Sequence, residues 1–196
     1  YIWQLPDWPN FYWDSERLIE PMSRLSRRHG ELKGLMSLIG FESKSETQLT
    51  ALTEDLLSSS AIEGVVLNAE SVRSSIARRL GLETDGLLLE DHYVEGLVNV
   101  MMDAVTNSSE PLSVERFFGW HSALFPYGRS GGMKITVADW RKGDEPMQVV
   151  SGAFGHEKIH YVAPLSESVP TEMARFMDWC NSENHSPYIK AAVAHL

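Results

Sequence analysis

Cysteine is nearly missing from the chain: Cys180 alone excludes an internal disulfide and a cysteine-built zinc cluster, and suits a reducing compartment such as the cytoplasm. No apolar run approaches the roughly 18 to 20 residues needed to cross a bilayer, and the first residues lack the basic-then-apolar layout of a signal peptide, so no membrane association is expected. Positive charge is also short. With 17 Lys and Arg against 27 Asp and Glu, the formal charge of -10 excludes a broad electrostatic grip on nucleic acid phosphates. One small basic cluster remains, Arg24, Arg27, Arg28 and His29, which reads as a phosphate contact or as a solvated face that favours a helix C-terminal dipole. Repeats and low-complexity tracts are lacking. Apolar residues are plentiful, at 43% of 196, enough for one large or two small cores. The chain opens at Tyr1 and stops at Leu196 inside an expected helix, Ile189 to Leu196, with no cap or breaker, which reads as a trimmed fragment.

Periodicity predicts a mostly α-helical fold. Tyr1 to Phe11, with Trp3, Trp8, Pro6 and Pro9, resists both helix and central strand and is expected to lie extended, with Trp3, Trp8 and Trp13 pinning the terminus to the body or lining a groove. A helix is expected from Ser15 to a stop at Gly30, and a second from Glu31 to Ile39. From Glu46 to Glu63 a wheel at about 100° per residue puts Leu49, Leu52, Leu56, Ser59 and Glu63 in one stripe, with Gly64 as the stop. Asn68 caps a helix over Ala69 to Leu80 that ends at Gly81. Two more are expected at Leu88 to Val105, with Leu89, Tyr93, Leu97, Val100 and Met101 inward, and at Val114 to Phe125, capped by Ser113. Met147 to Val150 and Lys158 to Val162 read as one β-hairpin, and helix resumes over Ser168 to Asn181, with Met173, Phe176, Met177 and Cys180 inward, and after Pro187.

His156, Glu157 and His160 spell H-E-x-x-H, the zinc-protease signature. That signature needs a helix, which brings residues four apart to about 6 Å; on a strand the same spacing is roughly 13 Å, too far for one metal. Gly155 before the motif, and Ile159, Tyr161, Val162 and Pro164 after it, favour the strand, so no metal ligand set is expected. His121 reads as a hydrogen-bonded core histidine or a catalytic base. Gly128, Gly131 and Gly132 have neither a Walker nor a Rossmann spacing. Glu63 is the sharper candidate. A carboxylate at the end of a leucine stripe needs a cation if buried, with Arg73, Arg78 and Arg79 on the following helix as candidates, or else it is simply wet.

Ser59-Ser60-Ala61-Ile62-Glu63-Gly64 resembles the (S/T)xxxE(G/N) inhibitory helix of Fic-domain proteins, which transfer AMP from ATP to a protein hydroxyl. Ser74 to Gly81 is similar to the segment that follows that helix in a bacterial subgroup with an N-terminal domain of uncharacterised function, and Tyr1-Ile2-Trp3 with Pro6, Trp8 and Pro9 is similar to that subgroup's opening. Trp140 to Gly152 resembles the Fic flap, and Ile189 to Leu196 the helix that leads into the Fic active loop. The loop itself, HPFx(D/E)GNGRxxR, does not occur in the 196 residues, so no residue here inherits a catalytic role.

The resemblance implies a Fic-like helical bundle with one inserted hairpin. It implies an N-terminal domain over residues 1–85 carrying the inhibitory helix, and the first part of a Fic domain over 86–196 with the flap at about 140–162. Glu63, supported by Ser59 and followed by Gly64, would pair with the last arginine of the active loop and occupy the space of the ATP γ-phosphate. Met147, Gln148, Val149 and Val150 would dock an extended segment of a target protein, or of the protein itself, by backbone hydrogen bonds. ATP and Mg²⁺ are expected cofactors of a protein that carries the loop, neither bound tightly by this chain. The rival is a non-catalytic binding module that docks partners through the hairpin edge. Removal of AMP is a further activity the wider family is known for.

Overall fold

The computed structural model describes residues 1–83, 91–130, 132–153, 155–182 and 184–196. Helix dominates, as the periodicity predicts. The described chain carries α1 (Ser15–Leu38), α2 (Phe41–Ile62), α3 (Ala69–Arg79), α4 (His92–Thr106), α5 (Val114–Leu124), α6 (Val169–Asn181) and α7 (Pro187–Ala194). Strands β1 (Arg129–Ser130) with β2 (Met133–Lys134), and β3 (Gln148–Ser151) with β4 (Lys158–Val162), form two antiparallel hairpins. The first hairpin was not expected from its glycine-rich sequence. The expected boundary at residue 85, the helix start at Leu88 and the inward Leu89, and Gly131 all lie outside the described residues.

The chain divides into two compact units, Trp13–Ser109 with Ala123–Tyr127, and Tyr1–Tyr12 with Glu110–Ser122 and Gly128–Leu196. In the first, Leu49, Leu52 and Leu56 of α2 close on Val72, Ile76 and Ala77 of α3 and on Val94 and Val98 of α4. Asn68 accepts a hydrogen bond from the Ser71 amide (2.9 Å) and Asp91 from the Tyr93 amide (3.0 Å), so both later helices start on side-chain caps. Gly96 allows α4 a close approach: a Cβ there would lie 2.1 Å from the Ala123 carbonyl oxygen. Tyr93, expected inward, is exposed, because the face of α4 that meets the core carries Val94 and Val98 instead.

α1 runs unbroken through Gly30, where a stop and a second helix were expected. An interior glycine costs roughly 1 kcal/mol of helix stability relative to alanine, and without a left-handed φ it terminates nothing. Arg24, Arg27, Arg28 and His29 therefore sit exposed in mid-helix, so the helix-dipole account of that cluster fails and the solvated face stands.

In the second unit, β3 and β4 pair Gln148 with Val162 and Val149 with Tyr161, then Val150 with Ile159 across a bulge that contains His160. Half-buried aromatic rings cluster here: Phe117 lies 5.4 Å from Trp120 and 6.4 Å from Phe176, and Phe118 packs edge-on against Trp140 at 4.9 Å. Met177 is buried, with Met173, Phe176 and Cys180 half-buried on the same face of α6, as expected. Asn181 closes the unit with a reciprocal pair of bonds, accepting from the Leu112 amide (2.8 Å) and donating to its carbonyl (2.9 Å). The opening residues are not extended: Ile2–Gln4 form a 3₁₀ turn, closed where the Gln4 amide donates to the Tyr1 carbonyl (2.9 Å).

Candidate functional site

The end of α2 is built by Gly64. Its φ of +78° is open to glycine at little cost and lets the chain reverse, so that the Gly64 amide donates to Ala61 (3.0 Å) and the Val65 amide to Ser60 (2.8 Å). This pair of bonds is the Schellman closure, and Glu63 is its cap residue. The buried stripe does not extend to this turn. Ser60 is buried, whereas Ser59, Ile62, Glu63 and Gly64 are exposed, Ile62 to 83%. Glu63 thus keeps its place in line with the leucines but lies beyond the packing, so the buried, cation-demanding carboxylate gives way to the wet alternative.

The arginines proposed as its partners are spent elsewhere. Arg73 pairs with Glu46 (3.1 Å); Arg78 and Arg79 both pair with Glu95, at 2.6 and 2.8 Å. No ion pair of Glu63 is found among the described residues, and the last turn of α2 contains no basic residue. An acidic group at a helix C-terminus faces the negative end of the dipole, so Glu63 is locally unfavourable. Ser59 and Glu63 stand on one turn, joined by the backbone bond from the Glu63 amide to the Ser59 carbonyl (3.4 Å).

Met147, Gln148, Val149 and Val150 occupy β3 and the residue before it, in the other compact unit. All four are exposed, Met147 to 64% and Val149 to 57%, and every residue of β3 faces solvent in the same way. At the hairpin base the Ala163 amide donates to the Met147 carbonyl (2.8 Å). A short strand so exposed, with one neighbour only, offers an unpaired backbone edge.

His156 and Glu157 precede β4 and His160 lies within it, so the H-E-x-x-H run is not helical. His160 Nε2 is 2.6 Å from the Ser151 hydroxyl. Among the described residues no group of three or more His, Cys, Asp and Glu is placed to hold a metal ion. His121 is half-buried on α5. Burial pushes the Cys180 thiol up, against a smaller opposing effect of Lys190. Among the described residues no helix is long and apolar enough to cross a membrane.

The sequence reading missed the charged cluster around Glu95. Burial raises its carboxyl, but hydrogen bonds from Ser75 and Arg79 and the charges of Arg79 and Arg78 outweigh it and hold the group below the usual carboxylate range. Arg79 also donates to Asn99 (2.5 Å) and to the Ser75 hydroxyl (2.7 Å). The cluster ties α3 to α4 and accounts for two of the three arginines. Its signal was the double arginine at the end of one helix, followed by an acid in the first turn of the next.

Residues 1–82 match the family model described as a domain of unknown function, DUF4172. That span contains α1, α2 and α3 and agrees with an N-terminal domain of uncharacterised function. No curated protein matches the chain.

Proposed function

We propose that this chain is the regulatory and target-docking part of an autoinhibited protein adenylyltransferase of the Fic type. The observation that carries the reading is Glu63, a carboxylate with no ion pair among the described residues, at the exposed turn of a Ser-x-x-x-Glu-Gly motif, while the arginines on the following helix are committed to Glu46 and Glu95. A structural role would have spent that charge within the fold. Left unspent, it is free to meet an arginine on an active loop, and the space it fills is then denied to a terminal phosphate, which leaves the α-phosphate badly oriented for attack. Ser59, one turn earlier, supports that engagement, and Gly64 sets the angle at which the turn is presented.

Docking falls to Met147, Gln148, Val149 and Val150. An extended segment added beside β3 gains main-chain hydrogen bonds whatever its side chains, which suits the modification of varied protein hydroxyls, the protein's own included. The described residues offer no cluster fit for Mg²⁺, and the glycines near Gly128 have no phosphate-loop spacing. By the family resemblance, ATP and Mg²⁺ contacts are assigned to an active loop whose pattern does not occur in these 196 residues.

The test uses the protein carrying that loop. Glu63→Gly should raise labelled-AMP incorporation well above wild type, and ATP should stabilise the variant more than wild type. Lower incorporation together with a lower melting temperature would make Glu63 a fold residue only. A second reading, a binding module without nucleotide chemistry, is favoured by the same open β3 edge. A coding sequence that ends at Leu196, rather than continuing into His-Pro-Phe and Gly-Asn-Gly, would select it.

A further inference from the structure

We infer that the first eleven residues, although they fall inside the matched domain of unknown function, act as a brace that holds the docking hairpin. Residues 1–12 group with the hairpin's unit and not with α1 to α3. Their attachment is specific. The Trp3 indole donates from Nε1 to the Val162 carbonyl (2.8 Å), and the Tyr1 ring meets Tyr161 edge-on at 5.3 Å. The Trp8 indole donates to Glu172 on α6 (3.1 Å), and Phe11 packs edge-on against Trp8 at 5.7 Å. Among the first ten residues only Trp3 and Trp8 are partly covered, so the segment is nailed at two points rather than laid down along its length.

The position of the first nail matters. Val162 is the last residue of β4, paired with Gln148 at the base of the hairpin, directly beside the bond from Ala163 to Met147. A two-stranded hairpin alone is marginal in water. Trp3 fixes one strand at its root, and Tyr1 packs on Tyr161, the residue opposite Val149. β4 is thereby occupied at its base, and β3 remains as the edge open to a partner. The brace thus makes Trp3 a positioning residue for docking, a role that rests on the docking reading above.

Hydrogen exchange of the whole chain, read by NMR or by overlapping peptides across 147–163, tests the brace without any transfer assay. Trp3→Ala should speed exchange at the Ala163 amide and across the hairpin at least tenfold, and Trp3→Phe, which keeps a ring and loses the donor, should fall between it and wild type. Leu35→Ala, on the exposed face of α1, should leave the hairpin unchanged. If Trp3→Ala unfolds the chain, Trp3→Phe decides alone. Hairpin exchange within twofold of wild type in a folded Trp3→Ala variant, or, where that variant unfolds, exchange in Trp3→Phe equal to wild type, overturns the brace. Altered exchange without any strand docking on β3 would keep the brace and remove the docking reading.

Discussion

Glu63→Gln removes one negative charge and preserves the shape of the side chain, and its effect on stability separates the two physical accounts of this residue. Were Glu63 half of a buried ion pair, deleting it would cost on the order of 3–5 kcal/mol. The structure instead places it exposed, at the cap of α2, with the helix carbonyl end beside it and no basic residue in the last turn. An unfavourable charge in that position costs about 0.3–1 kcal/mol at low ionic strength. Its removal should therefore stabilise the chain. For a chain of this size about 1 kcal/mol corresponds to roughly 2–4 °C, so the melting temperature should rise by about 1–4 °C in low salt. The gain should shrink as the screening length contracts from roughly 10 Å at 0.1 M salt to about 3 Å at 1 M. Circular dichroism melts at the two salt concentrations are sufficient. A fall of more than about 2 °C in low salt, or a gain indifferent to salt, would refute the placement of Glu63 as an unspent charge.

Gly96→Ala should be far more costly than its single methyl suggests, since the Cβ would stand 2.1 Å from the Ala123 carbonyl; overpacking of this kind costs about 1–3 kcal/mol, and a denaturant titration should show it. Glu95 should contribute to acid sensitivity. Its carboxyl is held below the ordinary value of 4.5, so its contribution is present above that pH and is lost as pH falls through the lower native value; Glu95→Gln should flatten this part of a stability-versus-pH curve. The 196-residue chain incubated with labelled ATP and Mg²⁺ should take up no label and show no tight ATP binding by calorimetry. Label on this chain would put the chemistry somewhere other than the proposed active loop.

Local chemistry made much of this fold legible. The Asn68 cap, the glycine stops at positions 64 and 81 and the alternation at 147–162 each encode a backbone geometry within a few residues, and each matches an observed element. Tertiary competition explains the misses. Gly30 alone did not end α1, because a stop needs the left-handed turn that Gly64 adopts and Gly30 does not. Tyr93 fits the inward face of an isolated α4, but the core selected the face of Val94 and Val98. The charge pairing of Arg78 and Arg79 with Glu95 joins residues 16 and 17 apart on different helices, a distance at which periodicity carries no information.

Glu63 combines both cases. The wheel placed it in line with Leu49, Leu52 and Leu56, and the line is real. In the fold, the buried arc of α2 instead takes in Thr53 and Ser60, with Thr53 donating to the Leu49 carbonyl (2.7 Å), which turns Ser59 outward. Glu63 escapes burial by position along the axis, since the chain turns away at Gly64 just as the helix reaches it. A wheel reports angle and is blind to where a neighbouring helix ends. The backbone of this helix end is closed by Gly64, but its charge is not balanced: an exposed acid stands at the unfavourable end of a dipole beside an Ile62 side chain that is 83% exposed, and no ion pair among the described residues offsets it. In the proposed reading, the surface that meets this turn is that of an active loop, and an arginine there is the partner for Glu63.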